Sequence, residues 1–175
     1  VGAIIDQFAD QYEEAVFVGF SLGGNMALKY CGEKAQTLDE RIKAVVAISV
    51  PVDLGAGSRH IGNPTNYIYE KRFLISLRKK IREKHRQYPE EINLNLLAEA
   101  KSLYLFDDLY TGPIHGFLNA EDYYTRCSSK QFIPDIKIPG LLINATDDPF
   151  LPPACYPFKE VSLNKKMIFL TPSYG

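Results

Sequence analysis

One short segment restricts the folds open to this chain more than any other. Gly19, Phe20, Ser21, Leu22 and Gly23 form a G-x-S-x-G pattern set between two different periodicities. Ala15, Val16, Phe17 and Val18 before it are apolar, β-branched or aromatic, as in a buried strand, and residues 22–34 repeat apolar positions at helical spacing. A strand that turns straight into a helix through a serine leaves the hydroxyl proud of the sheet. The turn strains the serine backbone and demands small residues two positions to either side, a demand that Gly19 and Gly23 meet. The helix start presents its first amides to the same spot, and the Leu22 N–H can donate to a developing oxyanion. A glycine-rich turn of any α/β protein would also match the bare pattern. Its place between strand and helix makes Ser21 the candidate nucleophile.

The rest of the chain fits a fold of that kind. Residues 2–12 place Ile4, Ile5, Phe8 and Tyr12 on one side of a helix, and residues 43–50 read as a second buried strand stopped by Pro51. Residues 140–145 and 166–170 give a third and a fourth strand. Apolar strands separated by helices predict an α/β fold with a parallel sheet covered on both faces. Residues 55–132 break this rhythm with helical signals, among them a long helix over 68–86, and no convincing strand. That is too long for a crossover loop and predicts a helical cap inserted into a core made of residues 1–54 and 133–175.

A carboxylate pair follows the third strand, in the run Asn144, Ala145, Thr146, Asp147, Asp148, Pro149, Phe150, Leu151, Pro152. Functional groups of a parallel sheet gather at the carboxyl ends of its strands. A carboxylate there can orient a histidine and stabilise its imidazolium. Alone, the pair would read as a solvated turn. With Ser21 earlier in the chain, Asp148 becomes the candidate catalytic acid. Neighbouring carboxylates in such a turn diverge and no His or Cys lies close in sequence, which argues against a metal site.

The elbow Gly-Phe-Ser-Leu-Gly-Gly-Asn at 19–25 resembles that of the YheT-like, or ABHD-type, branch of α/β hydrolases. Pro51, Val52, Asp53 and Leu54 resemble the family's segment after the second strand. Further similarity lies in Asn66 and Tyr67 with Phe73 and Leu74, in Phe106, Asp107 and Asp108 followed by Gly116 and Phe117, in Tyr123 and Tyr124, and in residues 144–151. The resemblance implies a partial α/β-hydrolase fold and hydrolysis of a small-molecule or lipid carboxylic ester through an acyl-enzyme on Ser21. Asp148 would orient the histidine, Leu22 would supply one oxyanion amide, and no cofactor or metal would be needed. Serine at the elbow favours acyl chemistry over the alkyl chemistry of aspartate-bearing relatives.

Two departures qualify this expectation. The family's histidine lies in a segment resembling T-x-x-G-G-H, whereas this chain reads Thr171, Pro172, Ser173, Tyr174, Gly175. The family's first strands, and the loop giving the second oxyanion amide, would precede Val1. The resemblance therefore implies a fragment that is inactive alone, with a bare strand edge at residues 15–19 prone to self-association. His60, His85 and His115 all precede Asp148 and read as solvated or structural. The rival reading is a hydrolase-fold binding or scaffold module without catalysis, and a histidine soon after Gly175 in a longer parent sequence would decide between the two.

Composition narrows partners. Lys and Arg number 20 against 21 Asp and Glu, a balance that excludes the basic excess of a nucleic-acid binder. Cys31, Cys127 and Cys155 are scattered, as reduced thiols of a cytoplasmic protein would be. No apolar run reaches the roughly 20 residues of a membrane span. The helix at 68–86 carries eight basic residues between Lys71 and Arg86 against Glu83, beside an apolar stripe of Phe73, Leu74, Leu77 and Ile81. The favoured reading packs that stripe on the core and leaves the charges solvated, and contact with an anionic membrane surface is the second reading. Gly55, Ala56 and Gly57 lack the spacing of a dinucleotide-binding turn.

Overall fold

The computed structural model describes residues 1–8 and 11–175. In chain order the main elements are α1 (Gly2–Phe8), β1 (Ala15–Phe20), α2 (Leu22–Glu33), β2 (Ile42–Ile48), α3 (Leu54–Ile61), α4 (Tyr67–Gln87), α5 (Leu103–Phe106), α6 (Gly112–Ile114), α7 (Ala120–Cys127), β3 (Gly140–Ile143), α8 (Phe158–Ser162) and β4 (Met167–Leu170). They fall into two compact units, Val1–Asp53 with Cys127–Gly175, and Leu54–Arg126. The helix expected over 2–12 is present as α1; residues 9 and 10 lie outside the described residues, and Tyr12 is not helical.

The first unit holds a four-stranded sheet in the order β1-β2-β3-β4, parallel throughout. Register aligns Phe17 with Val45 and Gly140, and Gly19 with Ala47 and Leu142, on one face. Beneath that face α2 contributes Ala27, Leu28 and Cys31, and the turn Lys130–Asp135 contributes Ile133, to a core with Val50, Val52, Leu151, Cys155 and Met167. The turn approaches α2 so closely that a Cβ on Gly32 would strike the Phe132 carbonyl oxygen.

The other face differs from the sequence expectation. Val16, Val18 and Phe20 of β1 are 52%, 59% and 64% exposed, and Ile168 and Leu170 of β4 are 59% and 48% exposed. Both faces of these strands are apolar, as a doubly covered sheet requires. Among the described residues, only one face has its cover.

Three asparagines tie the loops of this unit together. Asn25 Nδ2 donates to the Cys127 carbonyl (2.8 Å) and its Oδ1 accepts from Ser129 N–H (2.8 Å). Asn164 Nδ2 donates to the carbonyls of Ile133 and Ile136. Asn144, fully buried, accepts from Val50 N–H (2.8 Å) and donates to the carbonyls of Val50 (3.1 Å) and Cys155 (2.9 Å). At the point where the second unit is inserted, Lys130 N–H donates to the Val52 carbonyl (3.0 Å).

The second unit is helical, with no strand among its described residues. Its core joins Leu74 and Ile81 of α4 to Ile92, Ala100, Phe106 and Tyr110. Of the stripe expected to pack inward, Leu74 and Ile81 do so, whereas Phe73 is 42% exposed. A polar knot lies nearby: Tyr124 Oη is within hydrogen-bond distance of Asp107 Oδ2 (2.7 Å) and Ser58 Oγ (2.8 Å). Burial raises the Asp107 carboxyl above its ordinary range against the lowering effect of its Thr111 and Tyr124 hydrogen bonds. Asp107 also opens a π-helical turn, Asp107–Thr111.

Candidate active site

Ser21 is the residue between β1 and α2. Its backbone takes φ 51° and ψ −124°, a left-handed conformation that costs a non-glycine residue on the order of 1–3 kcal/mol. The surroundings hold it there: Ser21 N–H donates to the Ile48 carbonyl of β2 (2.9 Å), and its own carbonyl accepts from Asn25 N–H (3.1 Å). Although Ser21 is the N-cap of α2, its side chain makes no capping hydrogen bond, and the residue is exposed. The hydroxyl is therefore left for other chemistry. Leu22 opens α2, where the first amides of a helix lack intrahelical acceptors.

Two glycines make the turn sterically feasible, and only one of them is the expected pair member. A Cβ on Gly19 would lie 2.6 Å from the Gly23 carbonyl oxygen and from Gly24 Cα. At Gly23 a Cβ would meet nothing within 4 Å. The second demand falls on Gly24, where a Cβ would collide with Val50 Cγ2 and lie 2.9 Å from the Gly19 carbonyl oxygen. The helix leans on β1 and on Val50 one residue later than the motif spacing suggests.

Asp147 and Asp148 follow β3 and have different surroundings. Asp147 is exposed, and its Oδ1 accepts from Gly175 N–H (3.1 Å). Thr146 N–H donates to the Pro172 carbonyl (2.8 Å), and Thr146 Oγ1 donates to the Ser173 carbonyl. The segment after β4 is thus laced to the turn that carries the carboxylates. Asp148 is half-buried, and its Oδ1 accepts from Phe150 N–H (2.9 Å). Tyr156 Oη donates to the Ala145 carbonyl (2.5 Å), and the phenol is shifted upward by burial first and then by Asp148.

The histidines belong to the second unit and have local partners. Asn63 Nδ2 is 3.3 Å from His60 Nδ1, His85 Nδ1 donates to the Ile92 carbonyl (2.7 Å), and His115 Nδ1 donates to the Thr111 carbonyl (2.8 Å). Cys31 and Cys155 are buried thiols, pushed up to about 12 and about 11 by desolvation, so neither is a ready nucleophile. Sequence reasoning missed Ser49, which follows β2 with φ 52° and donates its N–H to the Ile143 carbonyl (2.8 Å). Nothing in its neighbours' spacing announces that strain.

A family described as alpha/beta hydrolase fold matches residues 9–167. YheT of Escherichia coli (strain K12) is 36% identical over 136 residues, covering 77% of this chain and 39% of its own length. Phospholipase ABHD3 of Mus musculus is 28% identical over 176 residues, covering 99% of this chain and 42% of its own. The chain therefore spans about two-fifths of the length of these curated relatives. An alpha/beta fold family hydrolase from Bacillus anthracis str. Sterne superposes with a TM-score of 0.53 at 14% identity, over 99% of this chain and 64% of that one, a likeness of fold. With its parallel sheet and strand-serine-helix turn, the chain belongs to the α/β-hydrolase fold family, in the branch that holds YheT and the ABHD proteins.

Proposed function

We propose that this chain carries the nucleophile and the acid of a serine hydrolase acting on carboxylic esters. The observation that carries the reading is the strained, exposed Ser21, fixed by strand and helix while its hydroxyl stays out of the helix cap. Ser21 Oγ attacks the ester carbonyl carbon as its proton passes to an imidazole, and the Leu22 N–H donates to the oxyanion that forms. Collapse of the tetrahedral intermediate expels the alcohol, protonated by the imidazolium, and leaves an acyl group on Ser21. Water, deprotonated by the same imidazole, then releases the acid.

Asp148 is the group that orients this imidazole. Its Oδ1 is steadied by the Phe150 amide, while Asp147 holds the backbone of Gly175. β1 and β3 stand two interstrand spacings apart, about 9.6 Å, a gap that a ring hydrogen-bonded at both nitrogens suits. None of the chain's histidines follows Asp148, so none of the three is assigned as this imidazole. With no base assigned within them, residues 1–175 alone are expected to turn over no ester. Lipid esters are the proposed substrate class, in line with the mouse relative named a phospholipase.

The test compares the longer parent protein, its Ser21→Ala variant and residues 1–175 on a short-chain p-nitrophenyl ester, with a fluorophosphonate probe as second readout. The reading expects turnover and Ser21 labelling in the parent alone. A parent that neither hydrolyses the ester nor takes the probe on Ser21 would instead make the chain part of a binding module.

A further inference from the structure

The geometry of α4 points to a docking surface for an anionic lipid bilayer, with the helix lying along the membrane plane. The inference stands apart from the ester-hydrolase reading, since it uses neither Ser21 nor Asp148.

α4 turns Glu70, Leu74 and Ile81 inward, with Leu77, Arg78 and His85 half-buried beside them. Arg78 is tied to the Ala100 carbonyl (2.8 Å), and Glu70 Oε1 accepts from Leu103 N–H (2.9 Å). At 3.6 residues per turn, Ile68, Arg72, Ile75, Lys79, Arg82 and Arg86 fall within about 40° of one line on the opposite side. All six are exposed. Ile68 is 78% exposed, Ile75 60%, and Tyr67 at the helix start 58%. A solvated cap helix has a polar outer face; this one interleaves Ile68 and Ile75 with cations.

Charge selects the occupant. Between Lys71 and Arg86 the helix carries eight Lys and Arg, and its only acids are Glu70 and Glu83, in a chain whose formal net charge is −1. The basic excess is confined to this element. A bilayer with anionic headgroups accepts both kinds of side chain: the isoleucines enter the acyl boundary while the cations reach phosphate and carboxylate groups on flexible stems. A nucleic acid would meet the cations but would set Ile68 and Ile75 against its phosphates. Among the described residues, no helix is long and apolar enough to cross a membrane, so α4 lies on the surface.

The test is sedimentation of the 175-residue chain with vesicles of pure phosphatidylcholine or of phosphatidylcholine with 30% phosphatidylserine, at 0.05 M and 0.5 M NaCl. Partitioning is expected on the anionic vesicles, at least tenfold above the neutral ones, and to fall at high salt. Replacing three cations in Arg72→Gln/Lys79→Gln/Arg82→Gln should lower it roughly a hundredfold. Ile68→Ser/Ile75→Ser should lower it at least tenfold. The control Lys34→Gln/Lys43→Gln/Lys165→Gln, with the same charge change elsewhere, should bind as the unaltered chain does. Circular dichroism checks that each variant is folded. Equal partitioning on neutral vesicles would overturn the proposal and indicate the open sheet face instead. So would a triple α4 variant that binds like the control, or no binding to either vesicle.

Discussion

Asn144→Ala tests the idea that buried hydrogen bonds, and not apolar area alone, hold the ends of β2 and β3 in place. The substitution removes three bonds from a fully buried side chain: one from Val50 N–H and two to the carbonyls of Val50 and Cys155. At a net contribution of about 1 kcal/mol each, their loss comes to about 3 kcal/mol, and stranding the buried Val50 amide adds about 1 kcal/mol or more. A total of about 4 kcal/mol is a large share of the stability of an ordinary domain. With an m-value of about 2 kcal/mol/M, the urea midpoint should fall by about 2 M, read by far-UV circular dichroism or tyrosine fluorescence. Asn144→Asp should be worse at neutral pH, since a carboxylate would face two carbonyl oxygens, and should recover as acid protonates it into a donor. A midpoint shift corresponding to less than about 1 kcal/mol for Ala, or an Asp variant insensitive to pH, would refute the reasoning.

Two further outcomes follow from features of each unit. Gly24→Ala should cost about 2 kcal/mol or more in thermal or urea unfolding, because its Cβ would meet Val50 and the Gly19 carbonyl, whereas Gly23→Ala should be neutral or stabilising by up to about 1 kcal/mol in open space within the helix. Asp107 binds its proton more tightly when folded than when unfolded, so its contribution to stability falls as pH rises from about 4 through the raised value; Asp107→Asn should gain in Tm relative to the unaltered chain over that range, and parallel Tm profiles would contradict it.

Much of this architecture is legible in the sequence because periodicity reports it directly. The apolar runs become β1 to β4, the long amphipathic pattern becomes α4, and the serine falls at the turn between strand and helix. Side-chain partners are harder to read. Spacing says that the elbow needs two small residues, but only the helix trajectory reveals that Gly24 bears the load assigned to Gly23. Asn144 looks like any polar residue at a strand end until its three partners, distant in the chain, are brought together. The strands of β1 and β4 announce two apolar faces without saying what covers the second. In α4 the spacing lines Ile68 and Ile75 up with the cations, but only the fold shows that this line faces outward.

The hydrogen bond from Lys130 N–H to the Val52 carbonyl also bears on how the chain could change over evolutionary time. It stitches the sheet unit shut at the place where Leu54–Arg126 is inserted, so the two ends of that insertion leave and rejoin the sheet side by side. Because loop closure depends only logarithmically on length, a linker about a tenth as long would change the closure cost by about 2 kcal/mol. The junction therefore tolerates wholesale exchange of what it carries. A helical insert of another length or surface chemistry would leave the strands and the serine turn in their register.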